Sequence, residues 1–289
     1  MILDIIISGL ISGSVYAILA IGFSLIFGVA RIVNIAHTAF YMLAAYGIYF
    51  GTHKLGFHPL WCMLASVILV TSFGLIVYKL FIDPIREHEA AVLICTIAMA
   101  IAMQEIMILL FTGDYLSVPA LIGGFFKILG VKVFYQQLLT FGLALLILGA
   151  LRTMLMKTRL GLAIRSTAQD REVANLMGID ESRAAMITMG ITVGLAGLAG
   201  AVVVPLTILQ PFMWMHPLIM MMAVVVLGGL GSLKGSFVGA YMLGFAEALV
   251  VFLIPKGAFL KGSVALSVMI LVLLIRPEGL FGVSFEEER

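Results

Sequence analysis

Apolar residues in this chain come in long runs separated by short polar breaks. The runs show neither the two-residue alternation of a half-buried strand nor the 3.6-residue stripe of a soluble helix. They cover residues 5–28, 35–50, 60–82, 90–111, 134–156, 184–209, 217–230, 236–254 and 259–275. A hydrocarbon layer is crossed by about 20 apolar helical residues, so the pattern predicts nine crossings. The second and seventh runs are short for that thickness and are candidates for broken or re-entrant segments.

Composition agrees with the pattern. Of 289 residues, 63% are hydrophobic and 11% charged, and the mean hydropathy is +1.19. A soluble domain needs about 25% charged residues to coat its surface. The expected fold is therefore an all-α polytopic membrane protein, one membrane-spanning domain over 1–289, with no room for a soluble catalytic domain. The near-neutral balance, +2, gives no reason to expect nucleic acid. Cys62 and Cys95 both lie in apolar runs and form no disulfide framework. The first run lacks a basic n-region and a small-residue cleavage site, and reads as a retained span.

Where the charges sit predicts the orientation. The longest polar stretch, between the fifth and sixth runs, carries Arg152, Lys157, Arg159, Arg165, Arg171 and Arg183. By the positive-inside rule it is cytoplasmic. Counting outward places Arg31, Lys79, Arg86, Lys234, Arg276 and Arg289 inside as well, and leaves only Lys54, Lys127, Lys132, Lys256 and Lys261 outside. The amino terminus is then outside and the carboxyl terminus inside.

Three patches stand out against the apolar background. Asn34, His37, Thr38 and Tyr41 open the second run at i, i+3, i+4 and i+7, one face of a helix. Lipid offers such groups no partner, so the face must look into the bundle, either as a solute pathway or as an interhelical hydrogen-bond seam. Gln104 with Glu105 in the fourth run, and Glu247 in the eighth, are costly at membrane depth and usually mark a function. Gln104 and Glu105 are assigned to the pathway. Glu247 shares a helical face with Ser236, Ala240 and Gly244 and reads as a structural carboxylate between packed helices. The third patch is the cytoplasmic segment at about 157–183. Its centre reads as a short helix bearing Val173, Leu176 and Met177, stopped by Gly178. Such a knob suits an anionic lipid surface or a groove on a partner protein. Behind it, Gly190, Gly194, Gly197 and Gly200 stripe the sixth run at the spacing that lets helix backbones approach closely.

Several motifs are missing. There is no Gly-Lys dipeptide and hence no phosphate-binding P-loop, no HExxH or CxxC metal pattern, and no Gly-x-Ser-x-Gly elbow. No enzyme chemistry, metal site or cofactor is expected in this chain.

The order and spacing of several stretches resemble the shorter of the two paired permease subunits of branched-chain amino acid ABC importers. They are Gly13-Ser14-Val15-Tyr16-Ala17, Asn34-Ile35-Ala36-His37, Arg165 through Gly178-Ile179, Leu227-Gly228-Gly229-Leu230-Gly231-Ser232 and Arg276-Pro277-Glu278-Gly279-Leu280-Phe281-Gly282. The resemblance implies a multi-pass subunit of a bacterial inner membrane, paired with a second related permease, two cytoplasmic ATPase subunits that bind ATP and Mg, and a periplasmic solute-binding protein. It also implies that Arg165, Asp170, Glu172, Val173, Ala174, Leu176 and Gly178 belong to the ATPase-coupling segment, in which Glu172, Ala174 and Gly178 look like a degenerate E-A-A…G loop. Where the family often reads Asn-Phe-Ala-His-Gly-Glu, this chain has Thr38-Ala39 in the last two places, and Lys234 stands where a turn more often carries Pro. The resemblance thus leaves branched-chain amino acids, urea, amides and aromatic carboxylates open as solutes. The rival reading is a proton-coupled secondary transporter using Glu105, Glu247 and His37.

Overall fold

The computed structural model describes residues 2–128, 131–276 and 278–281. Eleven α-helices occur among them. They are α1 (Ile2–Ala30), α2 (His37–Tyr49), α3 (Pro59–Val77), α4 (Glu89–Phe111), α5 (Tyr135–Lys157), α6 (Arg159–Gln169), α7 (Arg171–Leu176), α8 (Glu181–Val203), α9 (Met215–Gly228), α10 (Leu233–Leu253) and α11 (Lys261–Ile275). Seven of the helical stretches, those built on α1, α3, α4, α5, α8, α10 and α11, are long and apolar enough to cross a bilayer. Helices α2 and α9 are shorter, and a π-helical turn, Phe50–Lys54, extends α2. Pro277 and Gly282 of the last family-like stretch, and Arg289, lie outside the described residues.

One feature differs from the all-helical expectation. Two short antiparallel strands, β1 (Phe125–Ile128) and β2 (Val131–Phe134), precede α5. Their residues are mostly β-branched or aromatic, which suits a pleated strand, and Lys132 lies over the Phe125 ring at 5.0 Å. Eight residues hold too few apolar positions to register in a reading tuned to spans.

Helices α1 and α8 form the centre and the other long helices surround them, which is why their sequences are rich in small residues. Buried α1 residues touch α10 along its length: Ser14 and Tyr241 hydroxyls are 2.8 Å apart, Ser24 bonds Ser236, and a methyl on Gly244 would press on the Gly13 backbone. The glycine stripe of α8 faces α3 and α2. Gly190 and Gly194 abut Leu75 and Thr71, Gly197 abuts Val67 and Ala44, and Gly200 lies against the Tyr41 carbonyl. Close backbone approach is what such spacing permits.

The helix ends gather in two clusters. At one end Gly28 approaches Ala168 and Gly231, the Leu280 and Phe281 N–H groups donate to the Leu227 and Gly228 carbonyls, and Arg31, Arg86 and Glu181 surround Arg171. At the other, Leu116 pairs with Leu209, the Thr140 hydroxyl donates to the Val202 carbonyl, and Tyr46 and Tyr49 pack on Phe111. The first is called here the α7 end and the second the hairpin end. Helices α2 and α9 both run from one end toward the other.

The shortness of α2 has a structural cause. Residues 31–34 are not helical, Arg31 has φ +50°, and the Ile35 N–H donates to Thr96 Oγ1 while Asn34 Nδ2 meets Met189 Sδ at 3.8 Å. Thr96 and Met189 lie two turns inside their helices, or about 10–12 Å at 1.5 Å per residue. The chain therefore enters the bundle as a non-helical loop and turns helical only at His37. Non-helical backbone is tolerated at that depth because protein covers it: Ile32, Asn34 and Ala36 are all buried.

Candidate functional site

A cavity of about 460 Å³ opens toward the hairpin end, between α1, α5, α10, the start of α11 and the segment joining α8 to α9. One wall is apolar, with Ile11, Val15, Leu206, Ile208, Met213 and Val251. The polar lining comes from Ser8, Ser12, Tyr16, Tyr41, Gln137, Thr207, Gln210, His216, Glu247 and Lys261. An apolar cleft with a few convergent polar groups is the usual form of a small-solute site.

Glu247 is the centre of that polar group. It is 3% exposed, accepts the Tyr16 hydroxyl at 2.6 Å and pairs with the Lys261 ammonium at 3.1 Å. The tight α1–α10 contact at Gly244 and Gly13 carries Tyr16 to it, and the short turn after α10 returns Lys261 over it. The His216 ring lies 6.3 Å from that of Tyr16, and its Nε2 is buried without a hydrogen-bond partner in the protein. The small-residue face expected around Glu247 is present at Ser236, Ala240 and Gly244, all buried. The carboxylate itself, however, stands on a cavity wall and has a cationic partner.

The patch at 34–41 is divided. Asn34 precedes α2 and does not share a helical face with the others, which corrects the i, i+3, i+4, i+7 reading; the cause is the non-helical entry described above. Asn34, His37 and Thr38 are fully buried, with His37 against Gly22 and edge-on to Phe23 at 6.5 Å between ring centres. Tyr41 alone of the four lines the cavity. In the fourth crossing the two neighbours also separate. Gln104 is buried and accepts the Trp214 indole N–H at 2.9 Å, which pins the start of α9 to α4. Glu105 is on the exposed side of α4, where its Oε1 accepts from Gln104 Nε2 at 3.3 Å. Neither reaches the cavity. No hydrogen bond or ion pair among the described residues joins Glu105, Glu247 and His37.

Sequence reasoning missed Tyr16, Gln137, Gln210, His216 and Lys261. Tyr16 was visible only as part of a family-like stretch, and Lys261 only as an external charge. A signal did exist, since an acid in one span and a lysine opening the next invite pairing across a short turn.

At the α7 end, Thr158 caps α6, Asp170 accepts the Val173 N–H at 3.0 Å to cap α7, and Asp180 accepts the Arg183 N–H at 3.1 Å to cap α8. These side-chain acceptors satisfy the open N–H groups of each helix start. Gly178 has φ +84°, which an L-residue rarely adopts, and it ends the α7 turn. Ala174 packs inward, while Val173, Leu176 and Met177 are exposed, Leu176 at 87%. Arg171 pairs with Glu181 at 3.3 Å and so ties α7 to α8. Burial pushes the Arg171 guanidinium below its usual range, and Glu181 counters this. Arg165 and Glu172 remain at the surface.

Residues 5–275 match a family model described as the permease component of the branched-chain amino acid transport system. The chain is 30% identical over 291 residues to the high-affinity branched-chain amino acid transport system permease protein BraD of Pseudomonas aeruginosa, covering 96% of this chain and 94% of that one. It is 26% identical to the corresponding LivH protein of Escherichia coli K12, covering 95% and 94%. Two solved structures share its fold. PsaBC from Streptococcus pneumoniae in complex with Fab gives a TM-score of 0.53 at 14% identity, over 94% of this chain and 91% of the other. A metal-chelate type ABC transporter in an inward-facing conformation gives 0.53 at 15%, over 93% and 85%.

Proposed function

Since this chain belongs to the family of branched-chain amino acid transport permeases, and is a membrane-spanning permease of an ATP-driven importer, we propose that its solute is a branched-chain amino acid or a close relative. The curated relatives carry that solute class in their names. The proposal extends to nine crossings of a bacterial inner membrane, with the hairpin end and the amino terminus outside. Two features support that count and sense. Helices α2 and α9 each run between the two end clusters, and the arginines gather at the α7 end, as the positive-inside rule requires of a cytoplasmic face. All 289 residues form one permease domain with its coupling segment at about 157–183.

The observation that carries the reading is the exposed apolar tip of α7. Three apolar side chains in water, on a helix capped at one end and stopped at the other, are a ready-made knob for a partner's groove. The assigned partner is a cytoplasmic ATPase subunit, present in two copies, which binds ATP and Mg. A second, related permease and a periplasmic solute-binding protein complete the assembly. Solute enters through the cavity at the hairpin end, past Tyr41, with Asn34, His37 and Thr38 behind it, with Gln104 bracing the start of α9 against α4 and Glu105 accepting from Gln104 on the outer side. The complex reconstituted with its ATPases and binding protein should accumulate leucine when ATP is enclosed and should continue after the proton gradient is collapsed. Uptake that stops with the gradient while ATP remains would overturn this reading in favour of proton coupling.

A further inference from the structure

We propose that the Glu247–Lys261 pair is the handle by which the cavity holds both charges of an α-amino acid in transit. The inference rests on the solute class proposed above. A zwitterion presents a carboxylate and an ammonium a few ångströms apart, and an apolar tail. The cavity offers an ammonium at Lys261, a carboxylate at Glu247 with the Tyr16 hydroxyl beside it, and an apolar wall. The solute ammonium takes the place of Lys261 on Glu247, and the solute carboxylate receives the released Lys261. His216, whose Nε2 is buried and unpartnered in the protein, lines the same cavity.

The arrangement explains why an ion pair stands in a solute cavity at all. An unpaired carboxylate that is 3% exposed would be costly, so the empty site needs a counter-ion of its own. Lys261 can leave because its side chain is 41% exposed, while Glu247, at 4%, stays in place. Exchanging one internal pair for two pairs with solute adds one charged contact, against which stands the cost of dehydrating both charges of the solute. Binding is therefore weak, which suits a conduit that must release what it takes. A solute with a single charge leaves either Glu247 or Lys261 without a partner and is disfavoured.

The test uses the assembled complex, with Cys62 and Cys95 replaced by Ser and Ser12→Cys introduced on the cavity wall. The rate at which a water-soluble thiol reagent modifies this cysteine is followed in rising leucine, 4-methylpentanoate (carboxylate only) or 3-methylbutylamine (ammonium only). Leucine should slow labelling at a concentration about tenfold below that of either analogue, the equivalent of about 1.4 kcal/mol. The advantage should vanish in the Glu247→Gln/Lys261→Met double variant. In Lys261→Met alone, which keeps the Tyr16 bond and serves if the double variant assembles poorly, the advantage over 3-methylbutylamine should vanish while that over 4-methylpentanoate remains. Equal protection by all three compounds, no protection by leucine, an advantage that survives in the double variant, or an advantage over 3-methylbutylamine that survives in Lys261→Met would overturn the inference. Leucine uptake by the cysteine-bearing complex is measured alongside. Uptake present without selective protection sinks this inference alone, whereas no ATP-driven leucine uptake sinks the solute assignment beneath it.

Discussion

Gly244→Ala should destabilise the assembled protein, against the usual preference of helices for alanine. The added Cβ would lie 2.6 Å from the Gly13 nitrogen, 2.7 Å from Gly13 Cα and 2.9 Å from the Gly9 carbonyl oxygen. Those are backbone atoms of α1 and cannot rotate away, so α1 and α10 must part by about 0.8 Å to reach ordinary contact. Overpacking of this kind costs about 1–3 kcal/mol. The same displacement stretches the Ser14–Tyr241 and Tyr16–Glu247 bonds, and interhelical bonds in membranes average about 0.6 kcal/mol each. Against this stands a helix-propensity gain of up to about 1 kcal/mol, so the net loss is about 1–3 kcal/mol. Gly142→Ala and Gly149→Ala in α5 are the controls, because nothing lies within 4 Å of a Cβ at either position. Thermal unfolding of the purified complex should show Gly244→Ala several degrees below wild type and both controls at or above it. If Gly244→Ala melts together with Gly142→Ala, the close-approach argument is wrong.

Other outcomes follow from the same geometry. Replacing Val173 and Leu176 together by Asp puts charge on the α7 tip and should abolish ATP-driven uptake while the membrane bundle still purifies intact; normal uptake would rule out that docking surface. Cysteine at Tyr41 should react with a water-soluble thiol reagent, whereas cysteines at Asn34, His37 and Thr38 should react far more slowly, being fully buried; equal rates at all four would place a water path along the whole patch. Gln104→Leu strands the Trp214 indole N–H and should lower stability by about 1–3 kcal/mol, read as a fall in melting temperature. Glu247→Leu leaves both the Tyr16 hydroxyl and Lys261 without their acceptor and should reduce the yield of assembled complex well below that of Glu247→Gln, measured by size-exclusion chromatography.

Properties that depend on local pattern could be read from the amino acids in order. Length and hydropathy of each run mark a membrane helix, because lipid demands that every backbone group be satisfied within its own segment. The α7 knob with its Gly178 stop and the glycine stripe of α8 were legible for the same reason: capping, left-handed turns and small-residue spacing act over a few residues. Family kinship was carried by the order of short stretches.

What folding alone decided was which residues from distant runs share a space. Glu247 reads in sequence as one more buried carboxylate; only the crossing of α1 over α10 gives it Tyr16, and only the turn into α11 gives it Lys261. Gln104 and Glu105 are neighbours in the chain, yet helical rotation of about 100° per residue sends one into the α4–α9 contact and the other to the outer surface. Asn34 kept the spacing of a helical face while the chain around it is a loop, because burial between α4 and α8 stabilises a non-helical entry that no local pattern announces. Periodicity assigns a residue to a face of its own helix, but the neighbour that face meets is set by packing.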